Sequence, residues 1–448
     1  MKQLAGIQKE EKKLEAGFGK AEITPGPEGG ALDLRILGYW HTRAMRYGPV
    51  RDALFARAAA FRSGQRMVCV VALDMIGDAI GLTAQVRERI GDVVGFPGKN
   101  VMVTFTHAHT APETIGLSGH PVAPDWTDLV ADRAAEAVRQ AAANMQPCRL
   151  VLGEGRLPGV AVNRSARDNA EAAALLAEGE RKRFSMLDET VRVAAFRRED
   201  GELVGTLFSF ACHPVCVQTQ GFISADWPGA ALRRLEAAGP AVFLNGACGD
   251  ADPVQMRSYE SLEWTGGEVA RKVEEILACP EEARPPDDEA IAAASRTVRL
   301  RRRDVGSLEE LQDQERALDS RASSEAANGP LHEQLFDLRE KLALARLPGT
   351  LEFQTQAIRL GPLTLVGIPG EVVACLADDI RKALPGTNAW VAAYANGYAG
   401  YVVSELSFRT GAYEAAEGRW SPLAPGEAER LRDEAIQVAG EVIEEHSK

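Results

Sequence analysis

The sequence predicts an α/β fold of mixed β-sheets covered by helices. Apolar, β-branched runs typical of buried strands alternate with segments of helical periodicity, as in residues 66–75, 82–94 and 100–105. Other strand-like runs flank the short turns Asp200-Gly201 and Gly361-Pro362, which indicates hairpins beside the helix-covered strands. With 448 residues, 45% of them apolar and 26% charged, the chain can bury a sizeable core.

The predicted elements follow one another along the whole chain. We predict strands at 66–75, 100–105, 149–152, 191–196, 203–210, 241–244, 351–359 and 363–368. We predict helices at 82–94, 126–145, 227–237, 262–278 and 372–383. The chain shows no internal repeat, so residues 1–448 are expected to form one elaborated domain.

A charged stretch interrupts this alternation near the middle of the second half. Residues 307–345 have a helical pattern broken at Asn328-Gly329-Pro330, which predicts a helical hairpin insertion within residues 300–346. We interpret it as a solvated pair of helices, with a lid or an oligomer contact as the alternative.

Charge and cysteine content exclude several classes of protein. The 51 Lys and Arg against 64 Asp and Glu give a net charge of -13, which disfavours nucleic-acid and anionic-membrane partners. No apolar stretch could span a bilayer and residues 1–15 lack a signal peptide's apolar core, so a cytoplasmic protein is expected. The seven scattered cysteines form no CxxC pair, which predicts buried thiols instead of disulfides.

Histidines follow two predicted strands at the point where each strand ends. His107 and His109 stand two residues apart after the 100–105 strand, so extended backbone would direct both side chains to one side. His213 follows the 203–210 strand and precedes a proline that stops the ladder. Because α/β proteins place active sites at strand ends, these histidines predict a metal site or a site of acid–base chemistry.

Other polar residues repeat this pattern of strand, turn and polar side chain. Glu371 lies in a Pro-Gly-Glu turn before a predicted helix, where the helix dipole alone could explain a carboxylate. Residues 244–253 suit either a tight turn or a pocket floor with two carboxylates. Asp226 could simply cap the following helix, and Arg164 could clamp a carbonyl or carboxylate.

Three common catalytic or nucleotide-binding motifs are missing from the sequence. It has no G-x-S-x-G elbow, no Walker-A loop and no dinucleotide-binding glycine fingerprint. This argues against serine hydrolases of the α/β-hydrolase type and against nucleotide-dependent enzymes. The tyrosines at 394, 398 and 401 form a cluster that packing alone could explain.

Taken in order, eight stretches resemble the N-terminal catalytic domain of the neutral, non-lysosomal ceramidase family. They are 17–25 (GFGKAEITP), 54–58 (LFARA), 106–112 (THAHTAP), 163–165 (NRS), 212–214 (CHP), 249–253 (GDADP), 369–371 (PGE) and 398–402 (YAGYV). They cover nearly the whole chain in the family's order, which is more specific than any single motif.

The resemblance implies a catalytic zinc, which that family holds with two histidines, a glutamate and a tyrosine. These ligand roles fall on His107, His213, Glu371 and Tyr401. The resemblance also gives proton transfer to His109, and oxyanion stabilisation or substrate binding to Arg164 and Tyr413. The further residues expected to contact substrate are Gly19, Asn163, Asp226, Asn245 and Asp250.

The chain departs from the family where the family has a Gly-Asp-x-Ser-Pro loop. The serine position is Asp252, an anion close to the substrate, so Asp252 is expected to act on a small polar substrate instead of ceramide. The family's C-terminal β-sandwich domain does not fit into 448 residues, so the sequence resembles a divergent bacterial-type member without it.

The sequence therefore predicts a zinc-dependent hydrolase that cleaves an amide or related acyl bond of a small molecule with metal-activated water. One zinc per chain is expected, and a homo-oligomer is left open. One alternative is a different metal-dependent hydrolase, for an ester, lactone or glycoside, with Asp226, Asp250 or Asp252 joining His109 at a second metal. The other is a non-catalytic zinc-binding protein with no open coordination position.

Overall fold

A computed structural model describes residues 13–26, 34–36, 45–46, 48–117, 122–279, 290–322 and 330–444. The strands are β1 Leu14–Glu22, β2 Arg35–Ile36, β3 Met45–Arg46, β4 Phe55–Ser63, β5 Arg66–Leu73, β6 Val101–Phe105, β7 Gln146–Pro147, β8 Arg149–Arg156, β9 Ala161–Asn163, β10 Thr190–Arg197, β11 Leu203–Phe210, β12 Ala241–Asn245, β13 Ala251–Pro253, β14 Ile291–Arg301, β15 Thr350–Leu360, β16 Leu363–Gly367, β17 Glu371–Val372, β18 Asn388–Ala392 and β19 Tyr401–Val402. The helices are α1 Leu82–Val94, α2 Pro124–Ala143, α3 Arg164–Asp168, α4 Ala170–Ala174, α5 Glu178–Phe184, α6 Asp226–Leu235, α7 Tyr259–Ala278, α8 Leu308–Ala322, α9 Pro330–Ala345, α10 Ala374–Ala383, α11 Glu405–Thr410 and α12 Glu427–Glu444.

Three larger sheets form the fold, and each contains one parallel pair of strands. Their orders are β6-β5-β4-β1-β7, β12-β11-β10-β8 and β14-β15-β16-β18. The parallel pairs are β5 with β6, β11 with β12, and β16 with β18. The predicted α/β class with mixed sheets is confirmed.

The parallel strands are buried on both faces, as their continuous apolar sequences require. Every residue of β6, β12 and β16 is buried. Helices cover these sheets: α2 packs on β1 and β4, α6 and α7 pack on the second sheet, and α10 and α12 pack on the third. Burial on both faces leaves the strand ends to carry polar side chains.

The carboxyl ends of strands from all three sheets meet at one place, joined by backbone hydrogen bonds. The Phe105 N–H donates to the Tyr394 carbonyl at 3.2 Å, and the Ala393 N–H donates to the Asn245 carbonyl at 3.0 Å. The Asn245 side-chain amide also donates to the Thr106 carbonyl at 3.1 Å. Ligands of open α/β sheets bind outside the carboxyl ends of strands, and this junction of β6, β12 and β18 positions the site.

Two predictions of local structure near the junction are wrong. The strand before the histidines ends at Phe105, and His107 has a left-handed backbone with φ 68°, so a turn and not strand alternation directs the histidines. The helix predicted from 372 begins at Ala374. Glu371 lies before it in β17, and the carboxylate that accepts the Ala374 N–H, at 3.0 Å, is that of Asp250. The helix dipole therefore does not explain Glu371.

Along the chain, helices α8 and α9 follow strand β14 and precede strand β15, and these two strands pair with each other in antiparallel fashion. The last register pair is Arg301 with Thr350, and the Arg302 N–H donates to the Gly349 carbonyl at 3.0 Å. The two ends of the segment therefore lie side by side. Leu311, Leu338 and Leu342 form a small core between the two helices.

All seven cysteines lie in the described part of the chain and are free thiols, five of them buried. Within the same described residues, none of the helices combines the length and apolar character needed to cross a membrane.

Candidate active site

Three imidazoles and one carboxylate converge at the junction of the sheets. The Nε2 atom of His107 lies 3.0 Å from Nε2 of His213 and 3.1 Å from Nε2 of His109. Oε2 of Glu371 lies 3.4 Å from Nε2 of His107 and 3.2 Å from Nε2 of His213. Nitrogen or oxygen ligands of a tetrahedral zinc lie about 3.3 Å from one another, so this spacing fits one metal ion.

Backbone carbonyls orient two of the imidazoles. Nδ1 of His107 donates to the Ile76 carbonyl at 2.6 Å, and Nδ1 of His213 donates to the Cys248 carbonyl at 2.9 Å. Each ring then presents the Nε2 lone pair to the cluster, as in metal sites where the second ring nitrogen is held. Burial lowers the pKa of His107, whereas hydrogen bonds to Cys248 and Glu371 outweigh burial and raise the pKa of His213 to about 10. A metal ion would displace the His213 proton and hold both rings in the neutral, ligating form.

Glu371 presents a buried, charged oxygen to the same point. Tyr398 donates its hydroxyl to Oε1, whereas Oε2 has no hydrogen-bond partner among the described residues. Burial would raise the pKa of Glu371, but His107 and His213 outweigh burial and hold it well below its usual range. A buried ionised oxygen without a donor is costly, and a cation at this point would satisfy it. The residues present therefore fit a bound metal.

Close backbone approaches bring the Glu371 segment into place. Glu371 and Tyr401 are register partners in the parallel pair β17 and β19. A Cβ atom on Gly249 would lie 2.4 Å from the Glu371 carbonyl oxygen, and one on Gly370 would lie 2.5 Å from the Gly400 carbonyl oxygen. Glycine is therefore required at both positions for these loops to pass each other.

A second group of charged residues surrounds Arg164. Its Nε donates to Glu414 at 2.6 Å and its Nη1 donates to Asp252 at 2.8 Å. Its Nη2 donates to the Gly249 carbonyl at 2.6 Å and to the Tyr401 hydroxyl at 2.8 Å. We call Arg164, Asp252, Glu414 and Tyr401 the Arg164 network. Four of the five N–H groups of this guanidinium therefore bind the protein itself.

Aromatic rings complete the site. The Tyr413 ring lies edge-on to Tyr401 at 5.8 Å between centroids and stacks on Trp420 at 6.1 Å. Burial raises the pKa of the Tyr413 hydroxyl, so it stays protonated. On the opposite side, the Tyr394 ring stacks on His107 at 4.0 Å.

A cavity of about 270 Å³ opens onto both groups. Its lining includes the predicted residues His109, His213, Glu371, Tyr401, Arg164, Asp252 and Tyr413. It also includes residues that the sequence analysis did not assign to the site: Ile115, Leu117, Met256, Arg257, Tyr398, Glu414 and Trp420. His107 is fully buried behind this lining.

The five other residues expected to contact substrate do not line this cavity. Gly19 lies in β1, where a Cβ atom would be 2.0 Å from the Ala137 carbonyl oxygen of α2. Asn245 donates to the Thr106 carbonyl at the strand junction. These two residues therefore serve close packing and the joining of strands in this structure.

Asn163, Asp226 and Asp250 also use their side chains within the protein. Asn163 caps α3 and donates to Asp250 at 3.0 Å. The Asp226 carboxylate accepts three backbone N–H groups, from Cys216, Val217 and Trp227, at 2.7 to 3.2 Å. Burial raises the pKa of Asp226 to about 6 and that of Asp250 to about 7.

Of the residues missed by the sequence analysis, Glu414 and Tyr398 have the strongest contacts with the site. A signal existed for both, since Glu414 follows Tyr413 directly and Tyr398 lies within a matched stretch. Their roles depend on partners far away in the chain, because Glu414 binds an arginine 250 residues earlier. Packing was offered as an explanation for the tyrosine cluster and no role was assigned to Tyr398, yet Tyr398 donates to Glu371.

Comparison with known proteins shows which family this chain is similar to. The family model described as "Neutral/alkaline non-lysosomal ceramidase, N-terminal" matches residues 14–244. The neutral ceramidase of Pseudomonas aeruginosa is 26% identical over 230 residues, which cover 47% of this chain and 33% of the relative. That of Mycobacterium tuberculosis is 27% identical over 164 residues, covering 34% of this chain and 25% of the relative. The aligned part thus spans a third or less of each of these two curated relatives.

Solved structures share the fold over nearly the whole chain. The crystal structure of the Pseudomonas aeruginosa neutral ceramidase matches 97% of this chain and 75% of its own, with a TM-score of 0.75 and 21% identity. A ceramidase complexed with C2 matches 97% of this chain and 76% of its own, with a TM-score of 0.73 and 21% identity. The resemblance found in the sequence is confirmed, and the chain belongs to the neutral/alkaline non-lysosomal ceramidase family.

Proposed function

We propose that this chain is a zinc-dependent hydrolase that cleaves an amide or related acyl bond of a small polar substrate. The observation that supports this best is the convergence of His107, His213 and Glu371 on one point at the cavity floor, with a charged oxygen that lacks a donor. The family supports amide chemistry, because its curated relatives are named neutral ceramidases.

The proposed ligands of the ion are His107, His213, Glu371 and Tyr401. A bound zinc supplies Lewis-acid polarisation of a carbonyl and lowers the pKa of water toward about 7. The carboxylates of Asp226 and Asp250 are engaged in protein contacts. We therefore propose one metal per chain. We also propose that residues 1–448 form one catalytic domain, with residues 300–346 as an insertion in it.

His109 and Tyr413 are proposed to handle the proton and the developing negative charge. His109 lines the cavity and is only partly buried, so its imidazole can exchange a proton with a substrate amine. The protonated hydroxyl of Tyr413 can donate to an oxyanion. Arg164 is proposed to hold Tyr401 and Asp252 in place, since its hydrogen bonds go to those residues.

Asp252 and the cavity volume favour a small polar substrate. At about 270 Å³ the cavity is slightly smaller than most ligand pockets, which measure about 300–1,000 Å³. The Asp252 carboxylate lies on its lining and can accept from an amine or a hydroxyl group of the substrate.

Metal content and amide hydrolysis test this proposal together. We expect about one zinc per chain by elemental mass spectrometry in protein purified without added metal, and loss of that zinc in His213→Ala. His332→Ala is the matched control, because His332 lies on α9 and does not line the cavity. With zinc present, short N-acyl amides bearing an amine or hydroxyl should be hydrolysed faster than ceramide. Full zinc occupancy in His213→Ala would reject the ligand assignment, and faster turnover of ceramide would reject the substrate class.

A further inference from the structure

A buried ion pair connects the helical hairpin of α8 and α9 to the cavity. Glu340 of α9 is 4% exposed. Its Oε2 accepts from Nε of Arg419 at 2.9 Å, and its Oε1 accepts from Nη2 of Arg419 at 2.6 Å. A two-pronged pair of this kind fixes the geometry of both side chains.

The same guanidinium holds a second segment of the cavity wall. Nη1 of Arg419 donates to the Gly116 carbonyl at 2.6 Å, and its Nη2 donates to the Leu117 carbonyl at 3.0 Å. Leu117 lines the cavity, and so does Trp420, which follows Arg419 in the chain. Arg419 therefore joins the hairpin to two segments that form the cavity wall.

A parallel set of contacts supports the segment that carries Tyr413 and Trp420. Lys341 of α9 pairs with Glu417 at 2.6 Å. Arg303, which precedes the hairpin, donates to the Ala415 and Ala416 carbonyls at 2.8 and 3.1 Å. Three charged side chains on the hairpin side thus hold residues 413–420, namely Arg303, Glu340 and Lys341.

The burial of Glu340 distinguishes this arrangement from a merely solvated pair of helices. Among the acidic residues of α8 and α9 in the described structure, Glu340 is the buried one, and the others are exposed or half-exposed. Burying a carboxylate is unfavourable unless a partner compensates it. Its position is therefore explained by Arg419 and not by the hairpin's own packing.

We propose that the hairpin braces the wall of the substrate cavity through Glu340 and Arg419, which act as positioning residues. They lie outside the ligand set and hold residues 115–117 and 413–420 at a fixed separation. Loosening this brace widens the cavity and weakens substrate binding while leaving the metal ligands in place. The kinetic part of this inference rests on the proposed function, whereas the structural part does not.

Hydrogen–deuterium exchange followed by mass spectrometry tests the brace without any need for activity. In Glu340→Gln and in Arg419→Lys we expect peptides covering 113–117 and 413–421 to exchange about tenfold faster. Lysine cannot bind a carboxylate and two carbonyls as the planar guanidinium does. Arg339→Ala is the matched control, because Arg339 neighbours Glu340 on α9 but pairs with Glu315 and Asp319 inside the hairpin. Its cavity-wall peptides should exchange as in the wild type.

Kinetics on an amide substrate then separate positioning from catalysis. We expect KM to rise about tenfold in Glu340→Gln, with kcat changed less than about twofold and metal content unchanged. Unchanged exchange in both variants would overturn the brace, and so would faster exchange spread evenly over the chain. If no amide is hydrolysed by the wild type, the proposed function fails, but the exchange result still decides the inference.

Discussion

The cluster of His107, His213 and Glu371 and the Arg164 network lie beside the same cavity, yet they satisfy their polar atoms differently. In the cluster, three acceptor atoms point at one another, and Oε2 of Glu371 has no donor in the described structure. In the network, Arg164 donates four hydrogen bonds to Asp252, Glu414, Gly249 and Tyr401. An arrangement of converging Nε2 and Oε2 atoms is suited to a cation, whereas a paired network holds other groups in position.

The largest effect is expected when the carboxylate of Glu371 is replaced. Glu371→Gln should abolish zinc retention and activity, because an amide removes the charge that compensates the ion. Tyr398→Phe is the graded comparison, since it removes only the hydroxyl that donates to Glu371, and outer partners of this kind contribute about 10–100-fold in metal affinity. Zinc titration of both variants measures the difference. Equal zinc affinities for Glu371→Gln and wild type would show that the cluster does not bind metal through this residue.

A variant of His109 tests whether this residue belongs to the cluster, because its Nε2 lies 3.1 Å from that of His107. Because His109 is proposed to carry a proton, His109→Ala should lower kcat about 10²–10⁴-fold while zinc is retained. Elemental analysis beside steady-state kinetics makes this measurement. Loss of zinc from His109→Ala would instead assign it to the ligand set.

Arg164→Lys examines the other side of the comparison. A lysine cannot replace four directed hydrogen bonds, so Tyr401 and Asp252 should lose their positions and kcat/KM should fall about 10–100-fold. Zinc should remain bound through His107, His213 and Glu371. Arg299→Lys, at an exposed ion pair with Glu352, is the control and should match the wild type. An activity loss as large as that of Glu371→Gln would indicate that Arg164 acts on the substrate itself.

The last prediction concerns stability instead of activity and applies to the buried carboxylate beside the network. Burial raises the pKa of Asp250 to about 7, so the folded state binds this proton more tightly than the unfolded state. The stabilising contribution is complete at low pH and is lost as pH rises from about 4 to 7, by up to about 1.4 kcal/mol per pH unit. Asp250→Asn should therefore show a flatter decline in the free energy of unfolding between pH 5 and 7, measured by urea denaturation. Parallel profiles for variant and wild type would contradict the buried titration.

The sequence identified the residues of the site that follow a local rule. Apolar runs located the strands, and polar residues at their ends, such as His107 and His213, pointed to the junction. What it could not supply were contacts between distant segments, such as Arg164 with Glu414, because no local pattern encodes them. The same limit explains why Gly19 and Asp226 were expected to contact substrate. A glycine or an aspartate in such a setting suits substrate binding and packing equally well. A helix dipole was the non-functional explanation offered for Glu371, and the structure removes it, since Glu371 pairs in β17 and the helix begins at Ala374.

The left-handed backbone of several residues has a consequence for the evolution of this site. His107, Tyr394 and Arg257 have φ values of 68°, 55° and 71°, and each such conformation costs a side-chain-bearing residue about 1–3 kcal/mol. His107 is a proposed ligand, Tyr394 stacks on it and Arg257 lines the cavity. Glycine would relieve the strain at these positions, but at His107 and Tyr394 it would also leave a cavity where a fully buried side chain now packs. Substitutions that are tolerated there must therefore keep both the backbone conformation and the side-chain volume, which leaves few routes by which this part of the site can change.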